Sequence, residues 1–426
     1  MTKFDERFQH VKLNSIQKDH WRDLTHTPTN LFADFSHNDY LGLARSPELI
    51  EAGYAAAKQY GMGATGSRLL SGNLPLHIAL EKAIALDKGT QAALIFNSGY
   101  QANATVLAAL LDKTALGAEP LVFTDRFNHA SLHHACQLKN IRQIRYRHND
   151  LAHLRLLLSK YHHDPRPKFI ITETVFGMDG DMIDIAALAD LADTFDAFLY
   201  LDEAHATGLF GHNGHGLACG WIGKRGLAMG TFSKALGTSG AYIACSHTVR
   251  DYLINRCTGF IYSTAPSPAV IGAAHAAWQA CAQMTVARTK LLQRAQDLRA
   301  HLQALGFNIG LSRTHIIPIV VGEASAALDL KAWLLNKNIL VSAIRPPSVP
   351  THTARIRIAL STTHEDAHIK ALIDALTHWP ARHLDFKNNR SIYARLPADY
   401  SGESKSECTA AQFHLLFESK KNNSLA

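Results

Sequence analysis

The stretch AFLYLDEAHATG, residues 197–208, decides the fold class. Its first five residues are apolar, and the run ends at the charged pair Asp202-Glu203. Short apolar runs of this kind, separated by helical patterns, are typical of buried parallel strands. Ligands of such sheets bind at the carboxyl ends of the strands, so the polar residues that follow the run are candidates for function.

The same pattern recurs before and after this stretch. The other apolar runs are ALIF (93–96), PLVFTD (120–125), KFIITETV (168–175), GLAMGTF (226–232) and AYIAC (241–245). Helical patterns alternate with these runs, and we expect the runs to form buried parallel strands. The sequence therefore predicts a large α/β domain over residues 45–280, with a central, mostly parallel sheet.

The pattern changes after residue 280. A long helical stretch to about residue 304 leads into the strand IIPIVVG, the helix SAALDLKAWLLNK, the strands ILVSAI and ARIRIAL, and a final amphipathic helix. This order predicts a smaller C-terminal α+β domain over residues 281–380. Residues 1–44 are expected to be a separate N-terminal segment with a polar helical lead, and residues 381–426 a polar tail of unknown role.

Composition narrows the function classes. The 426 residues are 47% apolar and 19% charged, and the formal charge of +7 is dispersed, which argues against a nucleic-acid interface. A secretion signal and a run of about 18 apolar residues are both lacking, so we expect a cytoplasmic protein without a membrane partner. Six widely spaced cysteines predict free thiols, and the 25 histidines lack metal-ligand spacing, so no metal is expected.

Lys234 is the first candidate for chemistry. It lies in the small-residue loop Thr231–Gly237 directly after the run GLAMGT. A lysine partly withdrawn from water has a lowered pKa, which suits a nucleophile or a general base that reacts with a carbonyl group. The alternative is a solvated loop lysine without a chemical role.

Asp202 and His205 follow the run AFLYL. An unpaired carboxylate at the end of a buried strand is costly, and a protonated pyridine nitrogen would be a natural partner. His205, one turn further on, would reach the phenolic oxygen of the same ring. The alternative for Asp202 is a cap on the next helix.

Further candidates surround the other strand ends. His129 in FNHAS is placed to stack on a ring, although Asn128 as a helix cap with an incidental histidine is a rival interpretation. Ser98 and Gly99 precede an apolar helix whose free N–H groups suit a phosphate, and Tyr100 would add a contact. Arg355 and Arg357 share one strand face, where a guanidinium would bind a substrate carboxylate; for one of the two we expect a structural charge pair.

Two motif matches are rejected. Gly61-x-Gly63-x-x-Gly66 fits a dinucleotide fingerprint but follows a helical pattern instead of a strand. The letters DEAH at 202–205 match a helicase box, yet the phosphate loop that such motors need does not occur in the sequence.

Taken together, the segments resemble the α-oxoamine synthases, which are fold-type I pyridoxal-phosphate enzymes. The resemblance covers about residues 35–380 and rests on segments that occur in the family's order: SHNDYLGL, GATGSRLLSGN, FNSGYQAN, FNHASLHHA, VFGMDGD, LDEAHATG, GTFSKALG, FIYSTAPSP and RPPSVPTHTARIRIAL. The last segment is most similar to the members that condense L-alanine with a pimeloyl thioester in biotin synthesis.

The resemblance implies roles for individual residues. Lys234 would hold the cofactor covalently, Asp202 would pair with the ring nitrogen, His205 would contact the phenolic oxygen, and His129 would stack on the ring. The expected phosphate contacts are Ser98, Gly99, Tyr100 and Thr231, with Ser263 and Thr264 from a neighbouring subunit of a homodimer. Arg357, with Asn38 nearby, would grip the amino-acid carboxylate.

The resemblance also implies the reaction and its rivals. L-alanine and an acyl thioester of coenzyme A or a carrier protein would condense with loss of carbon dioxide and a thiol. Other members of the family, which use glycine and acetyl groups or long acyl chains, would share every cofactor residue. An inactive scaffold would lack Lys234. One departure from the family is Gly177, where many relatives have a serine that hydrogen-bonds the ring oxygen.

Overall fold

A computed structural model describes residues 2–24, 26–222 and 225–380. The predicted tail, residues 381–426, lies outside the described residues. The strands of the described residues are β1 (Ala33–Asp34), β2 (Ala92–Phe96), β3 (Leu121–Asp125), β4 (Gln143–Tyr146), β5 (Lys168–Glu173), β6 (Ala197–Asp202), β7 (Gly226–Thr231), β8 (Ala241–Cys245), β9 (Ile316–Gly322), β10 (Ile339–Leu340), β11 (Ser342–Ile344) and β12 (Ala354–Ala359).

Helices fill most of the chain between the strands. They are α1 (Lys3–Gln17), α2 (Pro47–Tyr60), α3 (Pro75–Lys88), α4 (Gly99–Leu110), α5 (Lys113–Leu116), α6 (Ala130–Leu138), α7 (Leu151–Lys160), α8 (Ile185–Thr194), α9 (His247–Arg256), α10 (Thr258–Ile261), α11 (Pro268–Gln283), α12 (Thr285–Ala304), α13 (Ala324–Leu335) and α14 (Asp366–Thr377). Within the described residues, none of them is long and apolar enough to cross a membrane.

The large sheet has the strand order β2-β8-β7-β6-β5-β3-β4. Its neighbours are parallel except at β8, which runs antiparallel to both β2 and β7. Helices cover both faces, and apolar clusters lie on each side of the sheet. The predicted α/β class with a central, mostly parallel sheet is confirmed.

Two details of the sheet differ from the prediction. The run AYIAC was expected to be parallel, but only residues 232–240 connect β7 to β8. That connection is too short for a crossover helix, so the chain reverses and β8 pairs antiparallel. The edge strand β4 was not predicted, because its sequence QIRY is short and half polar and only Tyr146 is buried.

A second, antiparallel sheet of order β11-β12-β9 follows the large one along the chain. The N-terminal residues Ala33 and Asp34 pair in parallel with β10, and Phe35 and Tyr40 belong to the same apolar cluster as β9 and β12. The carbonyl of Phe35 also accepts from the backbone N–H of Ala359 at 2.9 Å, so the segment SHNDYLGL begins beside the end of β12. The predicted boundaries at residues 45 and 281 stay a prediction.

The register of the large sheet brings its polar strand ends together. Glu173 at the end of β5 is the direct neighbour of Asp202 at the end of β6, and Asp202 pairs with Met229 two residues before Thr231 ends β7. Parallel strands that end in register place their following loops at one edge. The candidate site forms at this edge.

Candidate active site

Asp202 is fixed by two hydrogen bonds at the end of β6. Its Oδ2 accepts from Asn103 Nδ2 at 2.7 Å, and its Oδ1 accepts from the backbone N–H of Ala204 at 2.9 Å. The residue is 4% exposed. The alternative, a cap on the next helix, is wrong: residues 204–209 form turns, and the bond from Ala204 closes a local turn that occupies one carboxylate oxygen.

Asn103 was missed by the sequence-based reasoning. It lies in α4 and donates from Nδ2 to both Asp202 and Ser131 Oγ, while its Oδ1 accepts from the hydroxyl of Tyr200 at 2.9 Å. A fully buried asparagine within a mostly apolar helix must find such partners. That mismatch between residue type and position was the available signal.

Lys234 lies in the turn after β7, where Gly237 N–H donates to its carbonyl oxygen. Its Nζ is 3.1 Å from His205 Nε2. Burial lowers the pKa of Lys234 to about 8, although the carboxylates of Asp202 and Glu173 act in the opposite direction. A substantial fraction of this amine is therefore neutral, and nucleophilic, near neutral pH.

His205 connects Lys234 to the N-terminal segment. Its Nδ1 lies 2.8 Å from the hydroxyl of Tyr40, and burial, together with the charges of Lys234 and Arg357, lowers its pKa well below the ordinary value. The imidazole is therefore neutral, with one ring nitrogen protonated.

The contacts of Tyr40 indicate which nitrogen carries that proton. The Tyr40 hydroxyl donates to Asn38 Oδ1 at 3.0 Å and accepts from Arg357 Nη2 at 3.1 Å. All partners are satisfied when His205 Nδ1–H donates to the Tyr40 oxygen, which leaves Nε2 as an acceptor facing Lys234. Tyr40, in the quoted segment SHNDYLGL, was not singled out from the sequence.

His129 is the N-cap residue of α6, and its Nδ1 lies 2.7 Å from Ser131 Oγ. The rival interpretation, in which Asn128 caps this helix, is wrong. The Asn128 amide donates instead to Thr124 Oγ1 and to the carbonyl of Ile171, both at 2.8 Å. Ser131 also accepts from Asn103, so a continuous hydrogen-bond network joins His129 to Asp202.

Glu173 is a second residue that the sequence-based reasoning missed. Its Oε1 accepts from the backbone N–H of His129 at 2.7 Å, and its Oε2 accepts from that of Gly177 at 3.3 Å. Burial and the neighbouring Asp202 raise the pKa of this carboxyl to about 8. The signal was its place in register with Asp202 at a strand end.

The start of α4 lies beside the end of β7. Ser98 is its N-cap residue and accepts from Gln101 N–H at 3.1 Å. A Cβ on Gly99 would lie 2.6 Å from the methyl group of Thr231, so glycine is needed for this close approach. The Thr231 hydroxyl is buried without a hydrogen-bond partner among the described residues. Free helix amides and an unsatisfied hydroxyl make a suitable anion site.

Tyr100, Ser263 and Thr264 are arranged differently around this helix start. Tyr100 is half exposed, and its hydroxyl contacts His134 Nδ1 at 3.0 Å. Ser263 Oγ accepts from Gln101 Nε2 at 2.7 Å, and the carbonyl of Thr264 accepts from Asn97 Nδ2 at 2.9 Å. Within a single chain, residues 263–264 therefore already border the start of α4.

The two arginines of β12 have different partners. Arg355 forms a buried ion pair with Asp179 and donates to the carbonyl of Thr353. Arg357 donates from Nε to the carbonyl of Gly177 at 2.6 Å and from Nη2 to Asn38 Oδ1 at 3.0 Å. The structural charge pair belongs to Arg355, and Arg357 is the one that lies beside Tyr40 and His205.

Gly177 allows His205 to lie close to Lys234. A Cβ at residue 177 would overlap the His205 imidazole, so a serine would require that ring to move. Glycine in place of the family's serine at residue 177 thus leaves the space that the His205 imidazole occupies in this chain.

The family described as aminotransferase class I and II matches residues 32–376. The chain belongs to this family. The match includes Asn38, Asp202, Lys234 and Arg357, and therefore the whole strand-end site.

Two relatives of this chain carry the same name. The 8-amino-7-oxononanoate synthase of Gluconacetobacter diazotrophicus is 46% identical over 389 residues, covering 88% of this chain and 97% of that protein. A Bordetella bronchiseptica protein that bears the same name provisionally is 54% identical over 343 residues, or 80% of this chain and 86% of the other.

Solved structures share the fold. The serine palmitoyltransferase of Sphingomonas wittichii aligns with a TM-score of 0.78 at 25% identity, over 88% of this chain and 96% of that one. The 8-amino-7-oxononanoate synthase of Francisella tularensis aligns with a TM-score of 0.70 at 24% identity, over 82% of this chain and 98% of the other.

Proposed function

We propose that the chain is a pyridoxal-phosphate-dependent acyltransferase that makes 8-amino-7-oxononanoate for biotin synthesis. It condenses L-alanine with a pimeloyl thioester and releases carbon dioxide and a free thiol. The observation that carries the proposal is the convergence of Lys234, Asp202 and His205 at one sheet edge, in a chain 46% identical to a synthase of that name.

The residues fit the cofactor at three points. Lys234 provides a buried amine of lowered pKa for the aldehyde carbon, and Asp202 provides a fixed carboxylate for the ring nitrogen. The unpartnered Thr231 hydroxyl and the amides at the start of α4 suit the phosphate. Ser98 and Gly99 belong to that helix start, and His129 would cover one face of the ring.

Bound pyridoxal phosphate supplies a protonated pyridine ring that takes up the electron pair left at the Cα of an amino acid. Asp202 keeps a proton on the ring nitrogen, since an ionised carboxylate favours the charged form of its partner. Asn103 holds that carboxylate in place through a hydrogen bond of 2.7 Å.

Lys234 would carry the proton that leaves Cα. A pKa of about 8 leaves the amine partly neutral at pH 7 to 8, so it can accept a proton and return it. His205, neutral and with Nε2 toward Lys234, provides an acceptor 3.1 Å from the amine. The amine is thereby held at one position between proton transfers.

Arg357 and Asn38 would hold the alanine carboxylate. The Arg357 guanidinium is already oriented by Gly177, Asn38 and Tyr40, so little side-chain entropy remains to be lost on binding. In the net reaction, the Cα–H proton of alanine is removed and Cα bonds to the thioester carbonyl carbon, while the thiolate leaves and takes up a proton. The alanine carboxylate then departs as carbon dioxide, and Cα takes up a proton in its place. The products are the amino ketone, the thiol and carbon dioxide.

Turnover with defined substrate pairs tests this proposal. The purified chain with pyridoxal phosphate should release thiol and carbon dioxide in equal amounts from L-alanine and pimeloyl-coenzyme A. Glycine with acetyl-coenzyme A, and amino acids with long-chain acyl thioesters, are the competing pairs. A higher kcat/KM for either competing pair would overturn the assignment in favour of a sister activity.

We also propose that the protein works as a homodimer in the cytoplasm. An apolar groove between α2 and α11 is lined by Leu49, Ile50, Tyr54, Met62 and Val270, and several of these side chains are exposed. A second copy of the chain would cover this groove and bring residues 263–264 of each chain near the partner's site. Light scattering should then give twice the 46.8 kDa mass of one chain.

The state of the cysteines supports the proposed location in the cytoplasm. The five described cysteines are free, as is usual in a reducing compartment.

A further inference from the structure

A buried cluster of charges lies behind the candidate site, outside the residues discussed so far. His148 follows β4 and lies between two carboxylates: its Nδ1 is 3.0 Å from Asp125 Oδ1, and its Nε2 is 3.1 Å from Asp181 Oδ2. The three side chains are 6%, 0% and 3% exposed, respectively. The second contact meets the distance of an ion pair without the angle of a hydrogen bond.

The surroundings of His148 favour its charged form. Burial alone would lower the pKa of His148, but the two carboxylates outweigh that effect and raise the pKa well above the ordinary value. The rings of Phe127 and Phe176 exclude water, with centroids 4.7 and 4.4 Å from that of the imidazole. Asn149 completes the cluster by donating to both aspartates, each at 2.7 Å. A neutral side chain in place of the imidazolium would leave two buried carboxylates without a cation.

Asp181 connects this cluster to a tight turn. Phe176 N–H donates to the Asp181 carbonyl at 3.1 Å, and Gly180 N–H donates to the Phe176 carbonyl at 2.9 Å. Gly177 lies inside the turn, and its carbonyl accepts from Arg357 Nε at 2.6 Å. A short, hydrogen-bonded turn therefore connects Asp181 to the carbonyl group that orients Arg357.

We infer that His148 is a positioning residue that holds the turn of residues 176–181 so that the Gly177 carbonyl orients Arg357 toward the amino-acid carboxylate. This inference rests on the proposed role of Arg357. It assigns to His148 no contact with substrate or cofactor. The predicted consequence is specific: loss of the cation should weaken amino-acid binding more than acyl-thioester binding or the chemical step.

The test is His148→Gln in the full-length holoenzyme. We expect the KM for L-alanine to rise about tenfold, as misplacement of a positioned group does, with kcat and the KM for the acyl thioester within about twofold. The double variant His148→Gln/Asp181→Asn removes one of the uncompensated carboxylates. Its KM for L-alanine should be about threefold lower than that of His148→Gln, because a smaller displacement of the turn remains.

His133→Gln is the matched control. His133 Nδ1 contacts Gln143 Oε1 on β4 at 2.7 Å, so the variant perturbs the same strand without touching Asp181. It should leave the KM for L-alanine unchanged. Thermal melting of each variant reports on folding separately from kinetics.

The inference is overturned if His148→Gln lowers Tm but raises both KM values and lowers kcat alike, as a purely structural residue would. It is also overturned if the double variant regains Tm while the KM for the amino acid stays high. The unmutated chain reports independently on the proposed function. If it prefers another amino acid to L-alanine, the same comparison of KM values is made with that amino acid, which must also present a carboxylate to Arg357.

Discussion

Two buried lysines flank the loop that follows β6, and they have opposite properties. Lys88 forms an ion pair with Glu203 and donates to the carbonyl of His215 at 2.7 Å. Burial alone would lower the pKa of Lys88, but the ion pair with Glu203 outweighs it and raises the pKa. Lys234 has no carboxylate in direct contact among the described residues, and burial lowers its pKa to about 8. Direct contact with a carboxylate distinguishes a structural lysine from a reactive one.

Two adjacent residues at the end of β6 contact the surroundings of these two lysines. Asp202 and Glu203 follow each other at the end of β6, so their side chains point to opposite sides. Asp202 meets Asn103, while Glu203 meets Lys88 and accepts from the backbone N–H of Ala218 at 2.8 Å. The letters DEAH thus combine two residues of the site, Asp202 and His205, with one residue of the scaffold, Glu203.

Replacement of Lys234 should have the largest effect on activity. We expect Lys234→Ala to lower kcat/KM by at least about 10⁴-fold, because both the covalent attachment and the proton carrier are lost. The holoenzyme should also lose an absorbance band at about 420 nm that responds to L-alanine. Lys88→Met is the matched control and should keep the band. Persistence of the responsive band in Lys234→Ala would show that another amine holds the cofactor.

Replacement of Lys88 should instead affect folding. Lys88→Met leaves Glu203 buried without its cation, which should cost about 3–5 kcal/mol in the free energy of unfolding. The double variant Lys88→Met/Glu203→Leu should recover most of that loss, since apolar pairs replace buried ion pairs well. Urea titrations of the unmutated chain and these two variants measure both effects. An unchanged midpoint in Lys88→Met would mean that this ion pair does not stabilise the fold.

The sequence was most informative where chemistry follows a strand. Lys234, Asp202, His205 and His129 stand next to apolar runs, and the large sheet brings them together because parallel strands end at one edge. Arg357 lies on a different sheet, so strand ends alone did not predict its place in the site. The spacing of Arg355 and Arg357 also did not show which of the two faces the site. Which arginine faces the site depends on Asp179, which forms an ion pair with Arg355, and on the carbonyl of Gly177, which accepts a hydrogen bond from Arg357.

The residues that sequence reasoning missed act through contacts between distant segments. Asn103 and Tyr200 are 97 positions apart, and Glu173 acts by accepting from two backbone N–H groups. Strand β8 was assigned the wrong direction because direction depends on the length of a connection, not on the apolar run itself. Contacts between distant segments require the register of the sheet, which local periodicity does not supply.

The pH dependence of stability should separate the two lysines. In the unfolded chain a lysine titrates near the reference value of 10.5, whereas Lys234 in the folded chain has a pKa of about 8. Between these values the unfolded state binds more protons, so the free energy of unfolding rises with pH. Relative to Lys234→Met, the cofactor-free protein should gain about 3 kcal/mol as the pH rises through this window.

Lys88 should show the opposite sign. Its folded pKa is raised, so its stabilisation is complete below 10.5 and is lost only at higher pH. Urea unfolding between pH 7.5 and 10 should therefore give a difference from the unmutated chain that stays constant for Lys88→Met and changes with pH for Lys234→Met. A flat difference for Lys234→Met would indicate that its amine keeps an ordinary pKa.

The smallest effect on activity is expected from replacement of Glu173. Glu173 and Glu203 are two buried carboxyl groups that can be compared in the same way as the two lysines. Because burial and Asp202 raise the pKa of Glu173 to about 8, it is mostly uncharged at neutral pH, and glutamine keeps its size, its neutrality and one of its two acceptor oxygens. Glu173→Gln should therefore lower kcat/KM by only about threefold at pH 7, whereas Glu173→Ala, which removes the acceptors of His129 and Gly177, should cost about tenfold. Glu203→Gln leaves the Lys88 cation without its carboxylate and should destabilise the fold by far more than Glu173→Gln does. If Glu173→Gln instead costs activity about as heavily as loss of Lys234, the carboxylate must be ionised in the working enzyme. The active site would then depend on an opposite charge as strictly as the scaffold does.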